Sequence, residues 1–150
     1  PPPPPPPPPP FFFNEHPPSP PAQESRGLGD VYKRQTYSGP CALMNATIGQ
    51  VQANSESWSV ALSCAREADA VARAKKINLG FNDVETYVRD FGANMPDARP
   101  SMLLDHMAQR PSEIDGINGA VPTEAAKIGM TAPINALVSS LIRGGEANYS

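Results

Sequence analysis

Long apolar runs are missing from this sequence, and so are most of the residues that build metal or disulfide scaffolds. No uninterrupted hydrophobic stretch approaches the roughly 20 residues that a membrane-spanning helix needs, so a soluble chain without a membrane partner is expected. Two cysteines, Cys41 and Cys64, and two histidines, His16 and His106, are all that occur in 150 residues. Neither pair stands at metal-ligand spacing, which argues against a zinc site or a disulfide framework and for a reducing, cytoplasmic setting. Positive charge is also scarce: the net charge is −3, with no cluster of Lys and Arg. A nucleic-acid partner is therefore not expected, because neutralising phosphates requires such a cluster.

What is abundant is unevenly placed. Fourteen of the 20 prolines fall in the first 21 positions, ten of them in the opening run that precedes Phe11, Phe12 and Phe13. Such a tract can form an extended polyproline rod but buries no core. The PPSPP stretch at Pro17 to Pro21 has the form of a ligand for an SH3 or WW module. At the other end of the segment, DVYKRQ (Asp30 to Gln35) resembles the translation of a transposon-end adapter. Residues 1–35 are accordingly expected to be a disordered, low-complexity, adapter-like segment, and residues 36–150 a single domain. That second part carries nine Lys and Arg against twelve Asp and Glu.

From residue 36 onward the patterning is helical. Trp58, Leu62, Ala65 and Ala72 recur at helical spacing between Ser55 and about Lys76, among many alanines that favour helix. Asn82 and Glu85 form a capping pair ahead of Val84, Tyr87, Val88 and Phe91, a second helix ending near Gly92. Ser101 to about Gln109 reads as a short third helix closed by Pro111. Ser112 reads as the N-cap of a fourth, whose stripe runs Ile114, Ile117, Val121, Ala125 and Ile128, with a kink or break expected at Pro122. Gly129 is a C-cap candidate and Pro133 a first-turn proline. Ile134, Leu137, Val138, Leu141 and Ile142 then define the last helix, ended by Gly144 and Gly145. With no sustained alternation, the fold class is all-α, and Trp58, Leu62, Tyr87, Val88, Phe91, Ile117, Val121, Leu137 and Leu141 are expected to line one shared core.

Few polar residues stand out. His106, without a second histidine or a cysteine nearby, reads as a helix-surface residue, not a metal ligand. Ser101 and Asp105 are four apart and share a helix face, as residues on solvated faces often do. Glu113 on spacing alone is a first-turn charge favoured by the helix dipole.

The string PSMLLDHMAQRPSEIDGING, Pro100 to Gly119, adds to that picture because it resembles the ketopantoate reductase family. That family's C-terminal helical domain carries S-M-x-x-D, an arginine-containing turn, then T/S-E-I-D-x-I-N-G. The counterparts are Ser101, Met102, Asp105, Arg110, Ser112 to Asp115 and Ile117 to Gly119. GMTAPIN, Gly129 to Asn135, is similar to the family's G-x-x-x-P-x-N, and the resemblance spans about Ser38 to Glu146. It implies a helical domain like the C-terminal domain of 6-phosphogluconate dehydrogenase-like proteins, serving substrate binding and dimerisation in an NADPH-dependent reductase of pantothenate synthesis. It also implies that Ser101 binds the keto acid, that Glu113 contacts NADPH, and that Asp115, Asn118 and Gly119 cap, orient and pack the turn.

The departures are equally specific. SGPCAL, Ser38 to Leu43, is similar to the family's N-P-x-x-A-L, with Ser38 standing where the substrate-binding asparagine is expected. The family's catalytic lysine lies two helical turns earlier, and counting back eight from Ser38 reaches Asp30. Lys33 has neither the position nor the context to replace it. No Rossmann fingerprint precedes the domain, since Gly27 to Asp30 offers two glycines and no strand. The resemblance thus implies a C-terminal fragment, inactive alone, whose partners are the keto acid, an absent Rossmann half and a second copy in a homodimer. The alternatives are a different 2-keto acid or imine reductase, favoured by Ser38, and a non-catalytic helical interaction module.

Overall fold

The computed structural model describes Pro3 and residues 34–149, and among these every regular element is helical. In chain order they are α1 (residues 34–44), α2 (Ile48–Ala53), α3 (Ser55–Ala74), α4 (Val84–Ala93), α5 (Ser101–Met107), a 3₁₀ turn (Ile114–Gly116), α6 (Ala120–Ala126) and α7 (Pro133–Glu146). The expected disorder of the front tract, the PPSPP reading, and the readings of Gly27 to Asp30 and Lys33 lie outside the described residues. Arg34 and Gln35, set with the front segment on composition, belong to α1.

Helix α3 is the centre of the assembly and packs against α2, α4, α6 and α7. The four apolar positions read at helical spacing, Trp58, Leu62, Ala65 and Ala72, are all buried, together with Ala61, Ala68 and Val71. Alanine here lets neighbouring helices approach closely at little side-chain entropy cost. Asn54 ends α2 and begins α3: its Oδ1 accepts from the backbone N–H of Glu56 (2.9 Å) and of Ser57 (3.0 Å).

Residues 35–42 of α1 are buried without interruption, which leaves this helix no polar face and hence no periodic signature. Gly39 and Pro40 in its middle look like breakers in the sequence. Gly39 is needed for packing: a Cβ there would lie 2.5 Å from Val138 Cγ1 and 2.9 Å from Asn118 Oδ1. Tyr37 packs between Trp58 and Phe91, and its hydroxyl donates to the Val88 carbonyl at 2.6 Å.

Several boundaries depart from expectation. Helix α4 starts after Asp83, not after an Asn82 cap, because Glu85 is drawn to Arg66 (2.9 Å) and Arg89 (3.4 Å) instead of back to the helix start. The expected fourth helix is two elements, the 3₁₀ turn and α6, broken at Ile117–Gly119; Pro122 sits harmlessly in the first turn of α6. Gly129, at φ +71°, closes α6 as expected, with Met130 N–H donating to Ala125 O (2.9 Å) and its own N–H to Ala126 O (3.3 Å). Pro133 opens α7 as expected.

The core is two clusters, not one. The larger includes Tyr37, Trp58, Leu62, Val88, Leu103 and Val121, with Tyr87 and Phe91 packed partly buried at its edge. The smaller holds Ala42, Met102, Ile114, Ile117 and Ile142. Leu137 and Leu141 belong to neither, being 57% and 53% exposed. Helix α7 turns Asn135, Val138, Ser139 and Ile142 inward instead, because Asn135 finds polar partners that hold that face down.

Candidate functional site

The smaller cluster ties together the elements that carry the sequence-predicted site residues. Ser101 immediately precedes Met102, Glu113 immediately precedes Ile114, and Ser38 lies one turn before Ala42, so each hangs from a residue of that cluster. A few buried apolar contacts thereby join segments that are 60 and more residues apart in the chain, α1 to α5 and to the turn after Glu113.

Glu113 precedes the 3₁₀ turn with 78% of its side chain exposed. One carboxylate oxygen accepts from the Arg34 guanidinium at 2.8 Å. A carboxylate has lone pairs to spare beyond one such contact, so it retains acceptor capacity for hydroxyl or amide donors. Composition groups Arg34 with the front segment, so the sequence offers it as no partner for Glu113; its spacing of four before Ser38 on a helix is the one local signal.

Ser101 is exposed and is the first residue of α5. Asp105 does not serve it; that carboxylate accepts from Arg110 Nε at 3.2 Å and holds the turn after α5. His106 is on the surface as expected, its Nδ1 2.8 Å from the Tyr149 hydroxyl. Ser38 is 3% exposed, a buried hydroxyl inside α1. Asp115 accepts from Arg143 at 2.7 Å, while Ser112, expected to cap a helix, donates to Glu146 instead, through its N–H (2.9 Å) and hydroxyl (2.7 Å).

Behind the surface lies an amide network. Asn118 Nδ2 donates to the Gln35 carbonyl at 2.9 Å and to Asn135 Oδ1 at 3.0 Å, and Gln35 Nε2 donates to the same oxygen. Asn135 Nδ2 donates in turn to the Cys64 carbonyl (3.1 Å) and Glu67 (2.8 Å). Glu67 also accepts the backbone N–H groups of Ile134 and Asn135, each at 2.8 Å, so a carboxylate from α3 caps the positive end of α7. This network locks α1, the Ile117–Gly119 break and α7 into one orientation.

Nucleophilic chemistry by cysteine is not supported. Burial pushes the thiols of Cys41 and Cys64 up to about 12, with the Glu67 charge adding to the effect at Cys64. Both remain protonated at neutral pH, and a thiol is a poor nucleophile. Among the described residues no group of His, Cys, Asp and Glu is arranged to hold a metal ion, and no helix is long and apolar enough to cross a membrane. What the surface offers is a hydroxyl, a carboxylate and a guanidinium, which suits hydrogen-bonded recognition of a small polar ligand.

Residues 34–146 match the family described as ketopantoate reductase PanE/ApbA C terminal. A 2-dehydropantoate 2-reductase of Streptococcus pyogenes serotype M3 is 31% identical over 113 residues, covering 75% of this chain and 37% of the relative. The chain therefore spans little more than a third of that relative's length. Among solved structures, a PanE/ApbA family ketopantoate reductase from Ralstonia eutropha JMP134 superposes with a TM-score of 0.76 at 24% identity, covering 84% of this chain and 42% of the other. A dimeric ketopantoate reductase from Staphylococcus aureus gives a TM-score of 0.72 at 21% identity over 85% of this chain and 44% of the other. At those identities the likeness establishes the helical fold, and the match over residues 34–146 establishes the family. The chain belongs to the ketopantoate reductase family and carries that family's C-terminal domain, helical in every regular element of the described residues.

Proposed function

We propose that this domain forms the keto-acid side of an NADPH-dependent 2-dehydropantoate 2-reductase, with Ser101 binding the substrate and Glu113 the cofactor. The observation that carries the proposal is the placement of the Pro100–Gly119 segment: both residues are exposed, and both are anchored through their next neighbours, Met102 and Ile114, in one small cluster. Glu113 fits a cofactor contact because its carboxylate is outward and keeps acceptor capacity for ribose hydroxyls or a carboxamide. Ser101 donates to an anionic keto acid without adding a competing charge. Ser38 shapes the substrate end from within α1.

When bound, the nicotinamide supplies the hydride for the C2 ketone. This chain's residues orient the ketone and exclude water on the domain's side of the cleft. The proton donor, a lysine in the family, comes from outside the described residues. In the intact protein an upstream Rossmann half completes the cofactor site, two copies pair as in the Staphylococcus aureus relative, and the enzyme works in the cytoplasm. Ser38 in place of asparagine favours, as a second reading, a different 2-keto acid as substrate.

The test is a fusion of residues 34–150 to the upstream half of the Streptococcus pyogenes relative, assayed for NADPH oxidation with ketopantoate and other 2-keto acids. Ser101→Ala should raise the keto-acid KM and Glu113→Ala the NADPH KM, each several-fold to a hundredfold, since losing one partner strands a polar group at about 1–3 kcal/mol. A folded fusion that reduces no 2-keto acid overturns the reductase reading. Preference for another 2-keto acid supports the second reading.

A further inference from the structure

The residues on either side of Glu113 are held by the same distant helix. Glu146, in the last turn of α7, accepts from both the N–H and the hydroxyl of Ser112. Three residues earlier, and hence on the same helix face, Arg143 Nε donates to Asp115 at 2.7 Å. The Arg143 guanidinium also packs against Gly119, where an added Cβ would come 2.9 Å from Nη2. Just beyond the helix, the Tyr149 hydroxyl meets His106 Nδ1 on α5. The turn's own support is slight: the 3₁₀ segment is three residues long, held by backbone bonds such as Gly116 N–H to Glu113 O (3.0 Å) and by buried Ile114, and Glu113 makes no side-chain cap to it. Ser112, the residue suited to cap it, is turned to α7.

We propose that Glu146 and Arg143 are positioning residues, a clamp by which the end of α7 fixes the Ser112–Gly116 turn and so sets the direction in which Glu113 presents its carboxylate. The proposal rests on Glu113 as the contact to the dinucleotide cofactor. The clamp leaves that carboxylate outward, engaged only by Arg34 among the hydrogen bonds of the described residues. The Arg143–Asp115 ion pair is exposed and adds little to global stability; together with the part-buried Ser112–Glu146 hydrogen bonds it grips both ends of one short turn, where the main effect is on local order.

Amide hydrogen exchange in the 150-residue chain tests the clamp directly. Glu146→Ala should speed exchange at Ser112 to Gly116 about tenfold or more while the melting temperature stays within a degree or two. Glu146→Gln keeps an acceptor oxygen and should restore most of the protection. Arg143→Ala should loosen Asp115 and Gly116 in the same way. Unchanged exchange in both alanine variants overturns the clamp, and so does a uniform rise across the molecule with falling melting temperature.

In the fusion described above, Glu146→Ala should raise the NADPH KM several-fold and leave the keto-acid KM unmoved. A loosened turn with an unchanged NADPH KM, where Glu113→Ala does raise it, overturns the positioning role. If Glu113→Ala leaves the NADPH KM unmoved, the cofactor reading fails instead, and the exchange data still decide whether the clamp exists.

Discussion

Asn135 shows how much one polar side chain can organise. Its amide touches α1 through Gln35, the 117–119 break through Asn118 and α3 through Cys64 and Glu67, four partners at a position that a hydropathy pattern would assign to the surface. Replacing it with alanine strands several buried groups, each costing about 1–3 kcal/mol when left without a partner. Asn135→Ala should therefore lower stability by at least about 2 kcal/mol in denaturant melts, and Asn135→Asp should not rescue it, because the donor to the Cys64 carbonyl is lost. Lys75 and Glu124 are a second buried pair, 2.5 Å apart with side chains 5% and 2% exposed, joining the end of α3 to α6. Removing the Glu124 carboxylate should cost about 3–5 kcal/mol, whereas replacing both partners with apolar residues of similar volume should be far milder. Melts of Glu124→Ala beside the Lys75→Met/Glu124→Leu double variant check that contrast.

At the scale of elements, α3 and α7 differ in how far an apolar stripe reports burial. The stripe of α3 is the buried face, since helices pack on it from several sides. The stripe of α7 is wider than its contact, and Asn135 and Ser139 take inward positions while Leu137 and Leu141 stay outside. Leu62→Ala should thus cost about 2–5 kcal/mol, and Leu137→Ala or Leu141→Ala within about 0.5 kcal/mol. Equal losses for Leu62 and Leu137 in urea melts would contradict this arrangement. Helix α2 escapes a periodicity search because six residues are under two turns, although Thr47 and Gln50 announce it by a capping box, with Gln50 N–H on Thr47 Oγ1 (3.2 Å) and Thr47 N–H on Gln50 Oε1 (2.8 Å).

For the molecule as a whole, the buried acids set an alkaline limit. Burial raises Cys41 and Cys64 from 9.0 to about 12, and raises Tyr37 from 10.0 to about 12 against the opposing hydrogen bond from Gln52. In each case the folded state keeps its proton where the unfolded chain has lost it. The stabilisation is complete below pH 9 and disappears as pH climbs from there toward 12. Denaturant midpoints should accordingly be level from pH 7 to about 8.5 and fall steadily above 9, and a Cys64→Ala variant should show a shallower fall. A midpoint that is flat to pH 11 would mean that these groups titrate normally in the fold.

The sequence by itself determined the class and the family, and it singled out Ser101 and Glu113, both outward in the fold, as the residues proposed for the site. Helical periodicity is a local property of Ser55 to Lys76 or Val84 to Phe91, and the EIDGING block is a contiguous string, so both survive reading one residue at a time. Which face of α7 is buried, how α1 can be helical through Gly39 and Pro40, and what holds the Glu113 turn were decided only in three dimensions. Each depends on partners far away in the chain: Asn135 on Cys64 and Glu67, Gly39 on Val138, Ser112 on Glu146. A buried amide or a glycine in a helix is unfavourable until its neighbour arrives, and that neighbour's position is a property of the packed bundle, not of the local chain.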